Sequence, residues 1–129
     1  MVTKTITAAT AGINSYRVEV EVDVANSMPN ISIVGLPDNA VSEARERVHS
    51  AIKNSGYSFP LGRVIVNLAP ADIRKEGTNF DLPIAIGILK EQGIDIKDDL
   101  NTGFIGELSL DGSLRKINGV LPLFSGLKD

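Results

Sequence analysis

Cysteine and tryptophan are both missing from the 129 residues. Without cysteine there are no disulfides, no thiolate nucleophile and no thiolate zinc site, and a reducing cytoplasm is the expected setting. With aromatic residues at only 5%, the core has to be built from aliphatic side chains. His49 is the single histidine, too few imidazoles for a transition-metal site, which needs several N, S or O ligands. No histidine lies where it could activate a serine or threonine, so a Ser–Lys pair is the remaining route to nucleophilic catalysis. No apolar run approaches the roughly 20 residues needed to span a bilayer. The first residues, "MVTKTITAATAGINSY", lack the charged start and continuous apolar stretch of a signal peptide. A membrane partner is therefore not expected. Basic character is also lacking: a net charge of −3 argues against a self-sufficient DNA-binding domain while leaving room for a local basic patch. The phosphate-cradling loop signature does not occur, and "IVGLPD", with one glycine and no lysine, reads as a strand-to-helix turn. "DIKDDLNTG" lacks the acidic alternation of a calcium loop. No cofactor or metal is expected in this segment.

What is present is hydrophobic patterning. In "YRVEVEVDVA", Tyr16, Val18, Val20, Val22 and Val24 share one face and Arg17, Glu19, Glu21 and Asp23 the other, which predicts a half-exposed antiparallel strand. "TKTITAATAG" is its expected partner, with "GINS" as the turn, and "NISIVGL" is a third strand. Val41, Ala44, Val48, Ala51 and Ile52 follow helical spacing, with Asp38 as the expected N-cap, a Glu43–Arg47 pair one turn apart, and Gly56 just past the C-cap. "RVIVNLA" is a continuous apolar run and predicts a central strand buried on both faces. "DLPIAIGILKEQG" is apolar nearly all round, a buried helix that Asp81 can N-cap, with Pro83 in its first turn. Gly87 in its middle costs about 1 kcal/mol relative to alanine, which close packing against a strand would explain. "GFIGELSLDGSLRKI" predicts two strands joined at Asp111-Gly112, and a helix fragment begins near Gly119. The order β-β-β-α-β-α-β-β-α predicts a two-layer α/β (α+β) sandwich with a mixed sheet, a single domain over residues 1–129. The last helix stops after one or two turns, as expected of the N-terminal piece of a longer protein.

The stretch "RKEGTNFDLPIAIGIL" (residues 74–89) raises a chemical question. A loop entering an apolar helix can hold a nucleophile or an anion, because backbone N–H groups at the helix start point outward. Lys75, Thr78 and Asn79 are the polar residues at the junction. From the residues alone, a turn followed by an N-cap is the favoured reading.

The motifs "VGLPD", "EARERV", "AIKNSG", "VNLAPAD", "RKEG", "FDLPIA" and "GELSLDGSLRKINGVLP" occur in that order. Together they resemble, over essentially the whole chain, the N-terminal domain of the bacterial magnesium-chelatase-like AAA+ proteins, the ComM and YifB family. The resemblance implies the fold of the Lon proteolytic domain, shared with GHMP kinases. It also implies a following AAA+ module that binds ATP and Mg2+, assembly into a hexameric ring, and a role in DNA branch migration during natural transformation. It does not imply porphyrin chemistry. Lon-like proteases use a Ser–Lys dyad. Here Asn79 stands at the serine's place and Leu121 at the lysine's, and neither side chain can do that work. The resemblance therefore implies a non-catalytic accessory domain that contacts neighbouring subunits, DNA, or both. Arg74 and Lys75, on a loop expected to be exposed, and Arg63 are the basic candidates for phosphate contact, which would weaken with salt and show little sequence preference. The alternative is a peptidase or acyl-transfer enzyme with an unorthodox site.

Overall fold

The computed structural model describes residues 2–11, 14–72, 75, 77–97 and 102–115, without the side chains of residues 10 and 11. The alternation around Val20 produces β2 (Asn14–Ala25), which pairs antiparallel along its whole length with β1 (Val2–Ala11). Val18, Val20 and Val22 are completely buried, while Glu19, Glu21 and Asp23 between them are half-exposed. The next strands are β3 (Asn30–Val34) and β4 (Arg63–Ala69), with helix α1 (Asp38–Asn54) between them. β4 lies between β2 and β3, antiparallel to the first and parallel to the second, so the sheet is mixed with order β1-β2-β4-β3. The parallel β3–β4 pair is the one that needs a crossover, and α1 supplies it.

Helix α2 (Asp81–Glu91) and a short hairpin, β5 (Glu107–Leu108) and β6 (Leu114–Arg115), complete the described elements, giving β-β-β-α-β-α-β-β. The α+β class with a mixed sheet and two helices is observed; the expected helix after Gly119 lies outside the described residues. Both helices cover the sheet face that carries Val18, Val20, Val22, Val64, Val66 and Leu68, and Ala44, Val48, Ala51, Ile52, Ile84 and Ile88 fill the space between. This is the aliphatic core expected from the scarcity of aromatics; among the described residues Phe80 is the one aromatic buried in it. Among the described residues no helix is long and apolar enough to cross a membrane.

Several local expectations hold. Gly56 follows the C-cap of α1 with φ +89°. Arg47 approaches Glu43 at 4.0 Å. A Cβ on Gly87 would come within 2.5 Å of Val22 Cγ2, so glycine is what lets α2 approach β2 this closely. The Asp111-Gly112 turn closes the hairpin, with φ +94° at Gly112. Others need correction. β4 is not buried on both faces: Val64, Val66 and Leu68 are buried, but Ile65, Asn67 and Ala69 are only half-buried, because both helices sit on one side. α2 likewise buries Ile84, Ala85, Gly87 and Ile88 while Leu82, Ile86 and Leu89 remain partly exposed. Asp38 and Asp81 do not cap their helices. Each lies in the first turn, behind Pro37 and Phe80, and neither helix has a side-chain cap. An acid there still favours the positive end of the helix dipole.

Candidate functional site

The junction singled out in the sequence is formed where the loop after β4 enters α2. Residue 75 is the first surprise. Lys75 was expected on an exposed loop but is 1% exposed. Its Nζ donates to the carbonyl oxygen of Pro70, just beyond the end of β4. A buried ammonium needs acceptors, and the return of the chain from Pro70 to Lys75 supplies one. Loss of solvent pushes the Lys75 ammonium below the usual lysine range, opposed by the nearby charge of Asp72.

Asn79, at the place the resemblance assigns to a serine, is also buried. Its Nδ2 donates to Ala8 O of β1 at 3.0 Å, and its own carbonyl accepts from Gly106 N at 3.1 Å. The amide side chain thus ties the loop to the outer edge of β1. The N–H groups at the helix start are used as well. Asp81 N donates to Thr78 O at 3.3 Å and Leu82 N to Gly106 O at 3.0 Å, while Pro83 has no N–H to offer. These are the donors that an anion site at a helix start would need.

Asp81 proves to be the electrostatic centre of the junction. Its carboxylate is fully buried and accepts from Arg47 Nε at 2.6 Å, Arg47 Nη2 at 3.2 Å and Leu108 N at 3.1 Å. One side chain therefore joins α2 to α1 and to the hairpin. Burial pushes the Asp81 carboxyl above the usual carboxylate range, against the pull of Arg47 and the Leu108 amide. On the other side of the pair, the hydrogen bond to Asp81 raises the Arg47 guanidinium. The sequence carried a signal for this pair: Arg47 sits one residue before Val48 and flanks the buried stripe Ala44–Val48–Ala51, so its guanidinium has to meet the edge of whatever packs there.

A threonine ladder from β1 completes the region. Thr3 Oγ1 donates to Gly87 O and Thr5 Oγ1 to Pro83 O, both at 3.0 Å. Two residues along a strand advance about 6.8 Å and four along a helix about 6 Å, which is why the spacings match. Thr7 is the next step along the same face of β1. The Thr7 hydroxyl is buried with no partner among the described residues.

Of the basic candidates, Arg63 and Lys75 are not gathered into one patch. Arg63 is exposed at the head of β4, roughly 20 Å from that strand's other end, where the Lys75 loop begins; its Nη2 lies 3.4 Å from Ser32 Oγ. Arg74 and Leu121 lie outside the described residues. No group of three or more metal-ligating side chains occurs among the described residues.

Comparison with known proteins agrees with the motif resemblance. Residues 20–129 match the family described as subunit ChlI of Mg-chelatase. The chain is 45% identical to competence protein ComM of Haemophilus influenzae over 115 residues, which is 88% of this chain and 23% of that protein. It is 46% identical over 117 residues to the uncharacterized protein YifB of Escherichia coli and 44% over 116 residues to YifB of Salmonella typhimurium, covering 89% of this chain and 23% of each relative. The chain thus spans about a quarter of the length of the relatives it matches.

Proposed function

Because this chain belongs to the family of the ChlI subunit of Mg-chelatase, we propose that it is a non-catalytic accessory domain, with a Lon-like fold, of an AAA+ ATPase. In this reading the remaining three-quarters of the relatives' length corresponds to the module that binds ATP and Mg2+. The assembled protein is a cytoplasmic hexameric ring that drives DNA branch migration during transformation and recombination. The identity to a competence protein supports the process. The single observation that carries the accessory role is the state of Asn79. The resemblance aligns it with the Lon-like nucleophile, and its amide is buried and committed to Ala8 O. A carboxamide held as a structural tie has neither the acidity nor the freedom of an activated hydroxyl.

DNA contact in this reading falls to Arg63 and Arg74, with Lys75 bracing the loop from beneath. The full-length protein, with and without residues 1–129, should be compared for ring formation, ATP hydrolysis and branch migration of a synthetic four-way junction. The proposal expects ATP hydrolysis to survive the deletion while migration falls. A paired Arg63→Glu, Arg74→Glu variant should weaken salt-sensitive binding to forked DNA. Unchanged ring formation and migration after the deletion would refute an accessory role.

One observation favours the second reading, a peptidase or acyl-transfer enzyme. Burial lowers the Lys75 pKa, which is the direction a general-base lysine needs. Casein degradation by the full-length protein that disappears in Asn79→Ala would replace the accessory reading with this one.

A further inference from the structure

β3 is an edge strand: it pairs with β4 on one side, and no described strand lies on the other. Its five residues, Asn-Ile-Ser-Ile-Val, include no charged residue, although edge strands are commonly guarded by lysine or proline against further pairing. The guard here is made of movable side chains. Ile31 N–H is taken by the Oδ1 of its exposed neighbour Asn30 at 2.8 Å, and Ile31 O accepts from Arg45 Nη1 at 3.3 Å. Both groups of Ile31 therefore point away from β4, and the period-2 pleat turns Ile33 the same way.

At the head of this edge lies a cavity of about 470 Å3, lined by Pro29, Asn30, Ile31, His49, Lys53 and the segment 59–62. Its floor is aromatic: the rings of His49 and Phe59 are 4.6 Å apart. Its apolar lining includes Pro29, Pro60 and Leu61, the last 89% exposed. The formal charges beside it are positive: Lys53 lines the cavity, and Arg45, which reaches Ile31 O, lies on the same row of α1 with His49 between them; among the described residues no acid lines the cavity. The nearest acid on that helix, Glu46, is exposed on the adjoining row. In a chain of net charge −3, a basic row beside an uncharged strand edge is a local inversion.

We propose that the β3 edge and the cavity at its head bind an extended peptide segment of a partner protein, in which an apolar residue is followed two positions on by a carboxylate, so that both side chains lie on the same face of the added strand. The peptide backbone displaces Asn30 Oδ1 and the Arg45 guanidinium and pairs with Ile31 and Ile33 as an added strand. The apolar side chain enters the cavity against Phe59 and Leu61. The carboxylate meets the released Arg45 and Lys53. Strand addition supplies affinity without reading sequence; the cavity and the basic row supply the choice of side chains. This inference does not depend on the accessory-domain reading.

The test uses the full 129-residue chain and a fluorescein-labelled, end-blocked peptide of alternating threonine and valine with one central Leu-Thr-Glu, which places the leucine and the glutamate on one face. Binding is followed by polarisation and mapped by backbone amide shifts. Shifts should concentrate on Asn30–Val34 and on the Arg45–Lys53 row. The same peptide N-methylated at alternate residues on its pairing edge should lose binding by at least about tenfold, with the protein's fold untouched. Replacing the peptide glutamate by lysine, or using Lys53→Glu, should each weaken binding by about fivefold, the upper range for one exposed ion pair. Four outcomes would overturn the proposal: no binding of the unmodified peptide at millimolar concentration, shifts located elsewhere, equal binding of the N-methylated peptide, or a preference of this face for an oligonucleotide over the peptide.

Discussion

Replacing Arg47 by methionine isolates what the buried ion pair contributes. The methionine keeps much of the apolar stem, so the change is mainly the loss of the guanidinium. Removing one partner of a buried pair costs about 3–5 kcal/mol when the remaining charge has no other recourse. Two features of this site lower that figure. The Arg47 side chain is 20% exposed, so its charge is partly screened, while Asp81 is fully buried and keeps the Leu108 N–H at 3.1 Å. The carboxyl can also take up a proton, because burial already pushes it upward. Near pH 8 the expected loss is therefore about 2–3 kcal/mol. The pH dependence carries the sharper information. Without Arg47 the folded-state pKa of Asp81 rises further above its unfolded value, about 3.9. A group raised in the folded state contributes its full stability below the unfolded pKa, and that contribution is lost as pH rises through the folded pKa. The penalty of Arg47→Met should accordingly be smallest near pH 4 and grow toward pH 8. Urea unfolding of wild type and variant at pH 4.5, 6 and 8, followed by circular dichroism, measures the difference directly. A penalty that does not change with pH, or one below about 0.5 kcal/mol at pH 8, the range of ordinary surface substitutions, would refute this account of the junction.

Gly87→Ala should destabilise the domain by about 1–2 kcal/mol despite the gain in helix propensity, because Val22 is fully buried and its Cγ2 would lie 2.5 Å from the new methyl. Adding Val22→Ala should recover part of that loss in a double-mutant cycle; a stabilising Gly87→Ala would show that α2 can retreat from β2 freely. Lys75→Met addresses the buried ammonium. A lysine lowered in the folded state makes wild-type stability rise with pH between its folded pKa and the unfolded value of about 10.4. The variant should lack that rise, so its advantage over wild type in chemical denaturation should be largest near pH 7 and shrink toward pH 10.5. An advantage constant over that range would mean that Lys75 titrates as an exposed residue does.

Periodicity alone was enough for most of the architecture. The alternation of Tyr16–Val24 can bury one face only as a strand, and the spacing Val41–Ala44–Val48–Ala51–Ile52 can bury one face only as a helix. Gly87 could be read as a packing glycine because an interior glycine needs a compensating close approach. The order of motifs likewise points to the family. Partnerships across the fold were not legible. A continuous apolar run such as "RVIVNLA" does not say whether one face or two will be covered; that depends on both helices lying on the same side of the sheet. Asp81 looked like a cap from its neighbours in sequence, and only the packing of α1 against α2 gave it Arg47 instead. Lys75 looked like surface charge because lysine is rarely buried, and the return of its loop onto Pro70 reversed that. Sequence by itself determined which residues need burial and with what period, since that is a property of local backbone geometry. Tertiary structure decided which polar groups meet, because those pairs join residues tens of positions apart and exist only when the elements have docked.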